Sequence, residues 1–203
     1  PRQLNGGRTA YIKVKPMKFD INHYDVKGFG HFVTMKGSAM LGIMKMDTVI
    51  FTPTKKDAPL FSCDRIKVFG NDTLILELYD TLLDKDIAVL YDGLQDEKEK
   101  LKDIADHDLG SRWYDHLKLP ATFCKKGKKC SGRFDSSYES FFNRYLDLLY
   151  KAPVCSEAEK KAKTLEYVNG LFENGGPSTD AFVNGVGRPA AEKLFKKVIF
   201  GVE

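Results

Sequence analysis

Residues 47–81 constrain the fold of this chain more than any other stretch. An apolar run ends in Phe51-Thr52-Pro53, and Pro59-Leu60-Phe61-Ser62-Cys63-Asp64 follows. A short strand-like run, a Gly70-Asn71 turn and the β-rich run Thr73-Leu74-Ile75-Leu76-Glu77-Leu78 come next. Branched and aromatic residues in short runs separated by turn residues predict strands. Connections this short leave no room for a crossover helix, so the strands are expected to pair antiparallel. Glu77 lies inside one of them. A carboxylate there turns to solvent on the pleat, or it is kept in a pocket for chemistry, because burying it unpaired is costly.

Further strand signals flank this stretch at residues 11–14, 29–35, 41–51, 66–69 and 87–91, giving five or six strands. Gly37 and Gly70-Asn71 read as hairpin turns. Beyond about residue 94 the period changes to 3.6. Residues 96–108 read as a surface helix with a narrow apolar stripe of Leu101, Ile104 and Ala105. Residues 137–149 read as a second helix. Ser156 with Glu159 forms a capping box that opens a third, which stops at Asn174-Gly175-Gly176-Pro177. Ser178 or Thr179 caps a short fourth, and Pro189 stands in the first turn of the last, residues 188–200. Strands first and helices after predict an α+β domain over residues 11–203, with residues 1–10 as a loose arm.

Composition excludes some classes. At 203 residues, with 42% hydrophobic and 30% charged side chains, the chain suits one globular domain. No apolar run reaches the roughly 18–20 residues of a membrane span. A net charge of +4 is too weak and diffuse to argue for nucleic acid, and suits an acidic protein partner or an anionic ligand. Cys63, Cys124, Cys130 and Cys155 form no CxxC pair. No His pair has metal-ligand spacing, so no metal site is expected. Reduced thiols are expected, although a Cys124–Cys130 bridge is geometrically feasible. The chain begins at Pro1, which leaves Met removal, trimming and a cleaved transit peptide open.

These pieces stand in the order found in the ferredoxin-dependent bilin reductases, which the chain resembles. Phe51 and Pro53, Pro59-Leu60-Phe61, Cys63-Asp64 and Glu77 carry the resemblance in the first half. Tyr167, Asn174, residues 180–184, Val186-Gly187 and the ending Val198-Ile199-Phe200 carry it in the tail, so it spans residues 41–201. Ser62 stands where the family has Gly, Glu77 where it has Asp, and Gly175 where an acid follows Asn174.

The resemblance implies an α/β/α sandwich, a central antiparallel sheet flanked by helices. It implies reduction of a linear tetrapyrrole of the biliverdin type, with reduced ferredoxin as electron donor, no bound cofactor, and a plastid stroma or bacterial cytoplasm. Side chains must then deliver protons. Glu77, Asp47 and Asp180 are the expected catalytic acids. Asn174, His31, Asp80 and Arg188 are expected at the substrate. Half-buried packing is the alternative for His31, a solvent face for Asp47, and first-turn charge for Asp180. The basic run Lys125, Lys126, Lys128 and Lys129 is the expected ferredoxin docking loop. Two rival readings are a non-catalytic tetrapyrrole-binding or scaffolding subunit with the same fold, which the lost acid at Gly175 favours, and an unrelated α+β binding domain.

Overall fold

The computed structural model describes residues 5–14 and 17–203. Seven strands form one antiparallel sheet in chain order: β1 (Asn5–Val14), β2 (Met17–Val26), β3 (Gly30–Ala39), β4 (Met44–Pro53), β5 (Leu60–Val68), β6 (Asn71–Tyr79) and β7 (Phe123–Lys128). Every strand pairs with its neighbour in chain order, as sequential elements tend to; the connection from β6 to β7 is the long one. The helices are α1 (Asp96–Glu99), α2 (Ser131–Lys151), α3 (Glu157–Glu173), α4 (Pro177–Val186) and α5 (Arg188–Lys193). A wide-turned segment, Leu194–Ile199, continues α5.

Helices cover both faces of the sheet, as expected. On one face Phe51, Phe61, Cys63, Leu74, Leu76 and Leu78 pack with Phe141, Tyr145 and Leu149 of α2. On the other, Phe19, Ile21, Val33, Met35 and Ile50 pack with residues of α3, α4 and the C-terminal segment, among them Val168, Phe182 and Phe195. Alternation along each strand divides its side chains between these two cores. Ser156 caps α3 by accepting from the Glu159 amide at 3.4 Å.

Several expectations are corrected. Residues 5–10 belong to β1 rather than to a loose arm, while residues 1–4 lie outside the described residues. Residues 17–26 form a strand that their charged alternation concealed. Residues 87–91 lie in the 3-10 segment Lys85–Gln95, not in a strand. The helix expected over 96–108 is one short turn, α1, whose Glu97 is fully buried and accepts from Lys100, Ser140 and Arg144. Gly37 lies inside β3, where a Cβ would meet the Phe19 ring at 3.0 Å. The hairpin turn expected at Gly70-Asn71 lies one residue earlier, at Phe69-Gly70, both at positive φ, and Asn71 opens β6. All four cysteines are free. Among the described residues, no helix is long and apolar enough to cross a membrane.

Candidate functional site: the open half of the sheet

The two faces of the sheet differ in how completely they are covered. On β5 and β6, Phe61, Cys63, Leu74, Leu76 and Leu78 facing α2 are buried, whereas Ser62, Asp64, Ile66, Ile75 and Glu77 on the opposite face are only half-buried. Cys124 and Lys126 on β7 continue this strip. The C-terminal helices cover β2 to β4 and, over β5 and β6, reach only the strand ends at Leu60 and Tyr79. The result is an open strip of sheet with apolar, acidic and basic side chains, the mixture a large, partly apolar ligand needs.

Two acids stand on this strip in adjacent rungs. Thr48, Asp64, Ile75 and Cys124 are successive cross-strand partners. Ile50, Ser62 and Glu77 form the next rung on the same face. The Thr48 hydroxyl donates to the Asp64 carboxylate. Burial raises the Asp64 pKa to about 6; the Thr48 bond lowers it and the nearby Glu77 charge raises it. Asp64 therefore changes protonation close to neutral pH, as a proton donor must. Glu77 accepts from the Tyr79 hydroxyl at 2.7 Å and pairs with Lys118 at 3.1 Å. Burial opposes the charge on Lys118, but Asp115 and Glu77 together hold its pKa above the usual lysine value. Burial and then the Glu77 charge push the Cys124 thiol up to about 12, so it stays protonated and is a poor nucleophile.

Aromatic rings wall one side. Tyr79 lies 4.8 Å from Tyr167 and 5.8 Å from Tyr114, and Trp113 lies 5.4 Å from Tyr114. Trp113 donates from Nε1 to the Gly175 carbonyl at 2.8 Å, which ties the wall to the end of α3. Gly175, where the resemblance leads one to expect an acid, has φ +83, a conformation that favours glycine. The Asp180 carboxylate lies over it, 3.4 Å from where a Cβ would be. Asp180 is exposed.

The remaining expected residues scatter. Asp47 points to the α2 face, 45% exposed and 3.7 Å from Arg65, which also pairs with Asp135 of α2. It is a structural ion pair on the far side of the sheet from Asp64. His31 faces the C-terminal side but is buried beneath the chain end, with Nε2 2.7 Å from the Val198 carbonyl, and Asp25 at 3.5 Å from Nδ1. Asp80 caps a turn by accepting from the Leu82 amide at 3.3 Å and pairs with Lys85. Asn174 ends α3, donating to the Gly170 carbonyl at 3.4 Å. Arg188 is exposed and pairs with Glu192 at 2.7 Å.

The basic loop is in fact strand β7. Lys125 is buried and donates to the Ile104 carbonyl at 2.9 Å beside Asp106 at 3.1 Å, so it is withdrawn from any docking patch. Lys126 is half-buried on the open strip, and Lys128 and Lys129 are exposed at its edge. Asp64 was visible in the sequence as part of the Cys63-Asp64 fingerprint. Which face of the sheet it takes came from the structure.

No protein-family model and no curated protein matches the chain. In three dimensions it is similar to phytochromobilin synthase from tomato, whose structure holds biliverdin, with TM-score 0.72 and 12% sequence identity over 96% of this chain and 73% of that one. The chain has the bilin reductase fold. Of the tail residues quoted from the sequence, Tyr167 packs against Tyr79, which bonds Glu77. Among the described residues no three His, Cys, Asp or Glu side chains are grouped to hold a metal ion.

Proposed function

We propose that the protein binds a linear tetrapyrrole of the biliverdin type on the open strip and reduces it with electrons from reduced ferredoxin. The observation that carries this reading is Asp64, a half-buried carboxylic acid with a pKa of about 6 on a bilin reductase fold, one rung from Glu77. Reducing one double bond takes two electrons, from two ferredoxins oxidised in turn, and two protons. Asp64 is suited to give one of them and to regain it from water. Glu77, bonded to Tyr79 and Lys118, is suited to relay the second. Lys118 and Lys126 supply cations for the propionates. Lys128 and Lys129 at the exposed edge are a docking surface for the acidic donor.

One observation favours the second reading, a bilin-binding subunit without chemistry. Gly175 occupies a place where the resemblance calls for an acid, and its carbonyl is committed to Trp113. A single experiment separates the two. The protein is mixed with biliverdin, the absorption shift is recorded, and reduced ferredoxin is added without oxygen. A shift followed by loss of the biliverdin band supports the reductase. A shift with no reduction supports the binder. No shift overturns both.

A further inference from the structure

One end of the sheet carries two features that the open strip does not use. The first is a row of lysines. Lys13 pairs with Lys18, Lys18 with Ser38, Ser38 with Lys45, and Lys45 with Lys67. Direct cross-strand partners share a face, so four exposed lysines stand in one line across five strands. Like charges directly opposite each other destabilise a sheet, and Lys13/Lys18 and Lys45/Lys67 are two such pairs. The next row on this face alternates instead, running Asp20, Lys36, Asp47, Arg65. Beyond Lys67 the row meets Asp72, which pairs with Lys67 at 3.7 Å, so among the described residues the unpaired charge of this row lies on Lys13, Lys18 and Lys45, nearest the sheet end.

The second feature lies just beyond that row. Met40 and Leu41 in the β3–β4 connection are 50% and 107% exposed, Ile43 is 50% exposed, and Phe69 at the β5–β6 turn is 67% exposed. Pairing of Met44 with Val68 sets these two connections side by side. Met40, Leu41 and Phe69 have φ of 53°, 55° and 48°, left-handed backbone that residues with side chains seldom occupy without a functional or structural demand. Here it turns apolar side chains into water. Lys45 is two residues from Ile43, and Lys67 is two from Phe69.

We propose that this end of the sheet docks on an anionic lipid bilayer. The apolar tips enter the interfacial zone, and the lysine row faces the headgroup phosphates. Strands standing end-on to the surface would bring the whole row to one depth. Apolar burial and attraction to anionic lipid act together in such binding. The tips are convex and lie on two separate connections, a shape suited to a deformable lipid surface. The proposal is independent of the reductase reading.

The test is flotation with vesicles of phosphatidylcholine alone and with added phosphatidylglycerol. Wild-type protein should bind the anionic vesicles at least about tenfold more tightly than the neutral ones, and salt should weaken the binding. Leu41→Asp with Phe69→Asp should abolish it with the circular dichroism spectrum unchanged, since both side chains are exposed. Lys45→Glu places an acid opposite Lys67, so it should weaken vesicle binding while keeping or raising the melting temperature. Absence of vesicle binding, equal binding to both lipids, or indifference to these variants would overturn the proposal. So would a Lys45→Glu effect seen only on association with an acidic protein such as ferredoxin.

Discussion

Asp64 on β5 stands directly opposite Thr48 on β4, and the Thr48 hydroxyl donates to its carboxylate. That single bond lowers the Asp64 pKa, yet burial and Glu77 win and the value rises from 3.8 to about 6. A carboxyl that binds its proton more tightly when folded contributes stability that is full below about pH 4 and is lost as pH rises through about 6. Asp64→Asn has no charge to bury. It should be more stable than wild type at pH 7 by about 1–3 kcal/mol, and the gain should vanish below pH 4. Urea denaturation of both proteins across this range checks it. A pH-independent difference would show that the Asp64 charge is not disfavoured.

The same carboxyl should govern turnover. Asp64→Asn and Glu77→Gln each keep shape and hydrogen bonding but cannot donate the proton. Each should slow single-turnover bilin reduction about 10²-fold or more, while the binding-induced absorption shift persists. The wild-type rate should decline as pH rises past about 6, and Asp64→Asn should lose that dependence. A variant that turns over at the wild-type rate is excluded as a donor.

Gly170 lets Trp113 close on α3. A Cβ there would come within 2.2 Å of the indole ring. Alanine is otherwise preferred in a helix by about 1 kcal/mol over glycine. Gly170→Ala should nonetheless cost about 1–3 kcal/mol through overpacking. Trp113 is the chain's one tryptophan, so its fluorescence reports the displacement directly. Unchanged emission and stability would mean that the aromatic wall is not held by this contact.

Lys160 of α3 is fully buried and bonds Asp57 at 3.0 Å and the Thr81 carbonyl at 2.5 Å. Burial raises the Asp57 pKa, but the Asp84 and Leu83 amides and Lys160 outweigh it and hold the pKa below the usual value. Lys160→Met leaves that carboxylate without its cation and should cost about 3–5 kcal/mol at neutral pH. Because the Asp57 pKa is depressed, the stability this carboxylate contributes is present above about pH 4 and is lost on acidification. The difference between the two proteins should therefore narrow below pH 4. A uniform difference would assign the cost to packing alone.

Much of the architecture was legible in the sequence. Closely spaced β-rich runs with short turns dictate an antiparallel sheet, the change to a 3.6 period marks the helices, and Ser156 with Glu159 marks the start of α3. The miss at residues 17–26 has a local cause, since Asp20, Asn22, His23 and Asp25 disguise a strand whose buried residues are only Phe19 and Ile21. Residues 125–129 read as an exposed docking loop because four lysines in five residues argue against a sheet. β7 forms because β6 offers a partner strand and because Ile104 and Asp106 satisfy Lys125, groups about 20 residues away in the chain.

The candidate site shows the same division. Alternation placed Asp47 on a strand and neighbours along a strand on opposite faces, whereas Asp64 stood ahead of the strand expected over 66–69 and lies inside β5. It could not say which face would be sealed and which left open. That depended on where α2 and the C-terminal helices came to rest, through contacts far apart in sequence. Asp47 was carried to the α2 side beside Arg65, and Asp64 to the uncovered strip beside Glu77. The sequence by itself determined the residue types and their period. Only tertiary packing decided the solvent exposure and neighbouring charges of each carboxylate, and these are what set its pKa and so its capacity to move a proton.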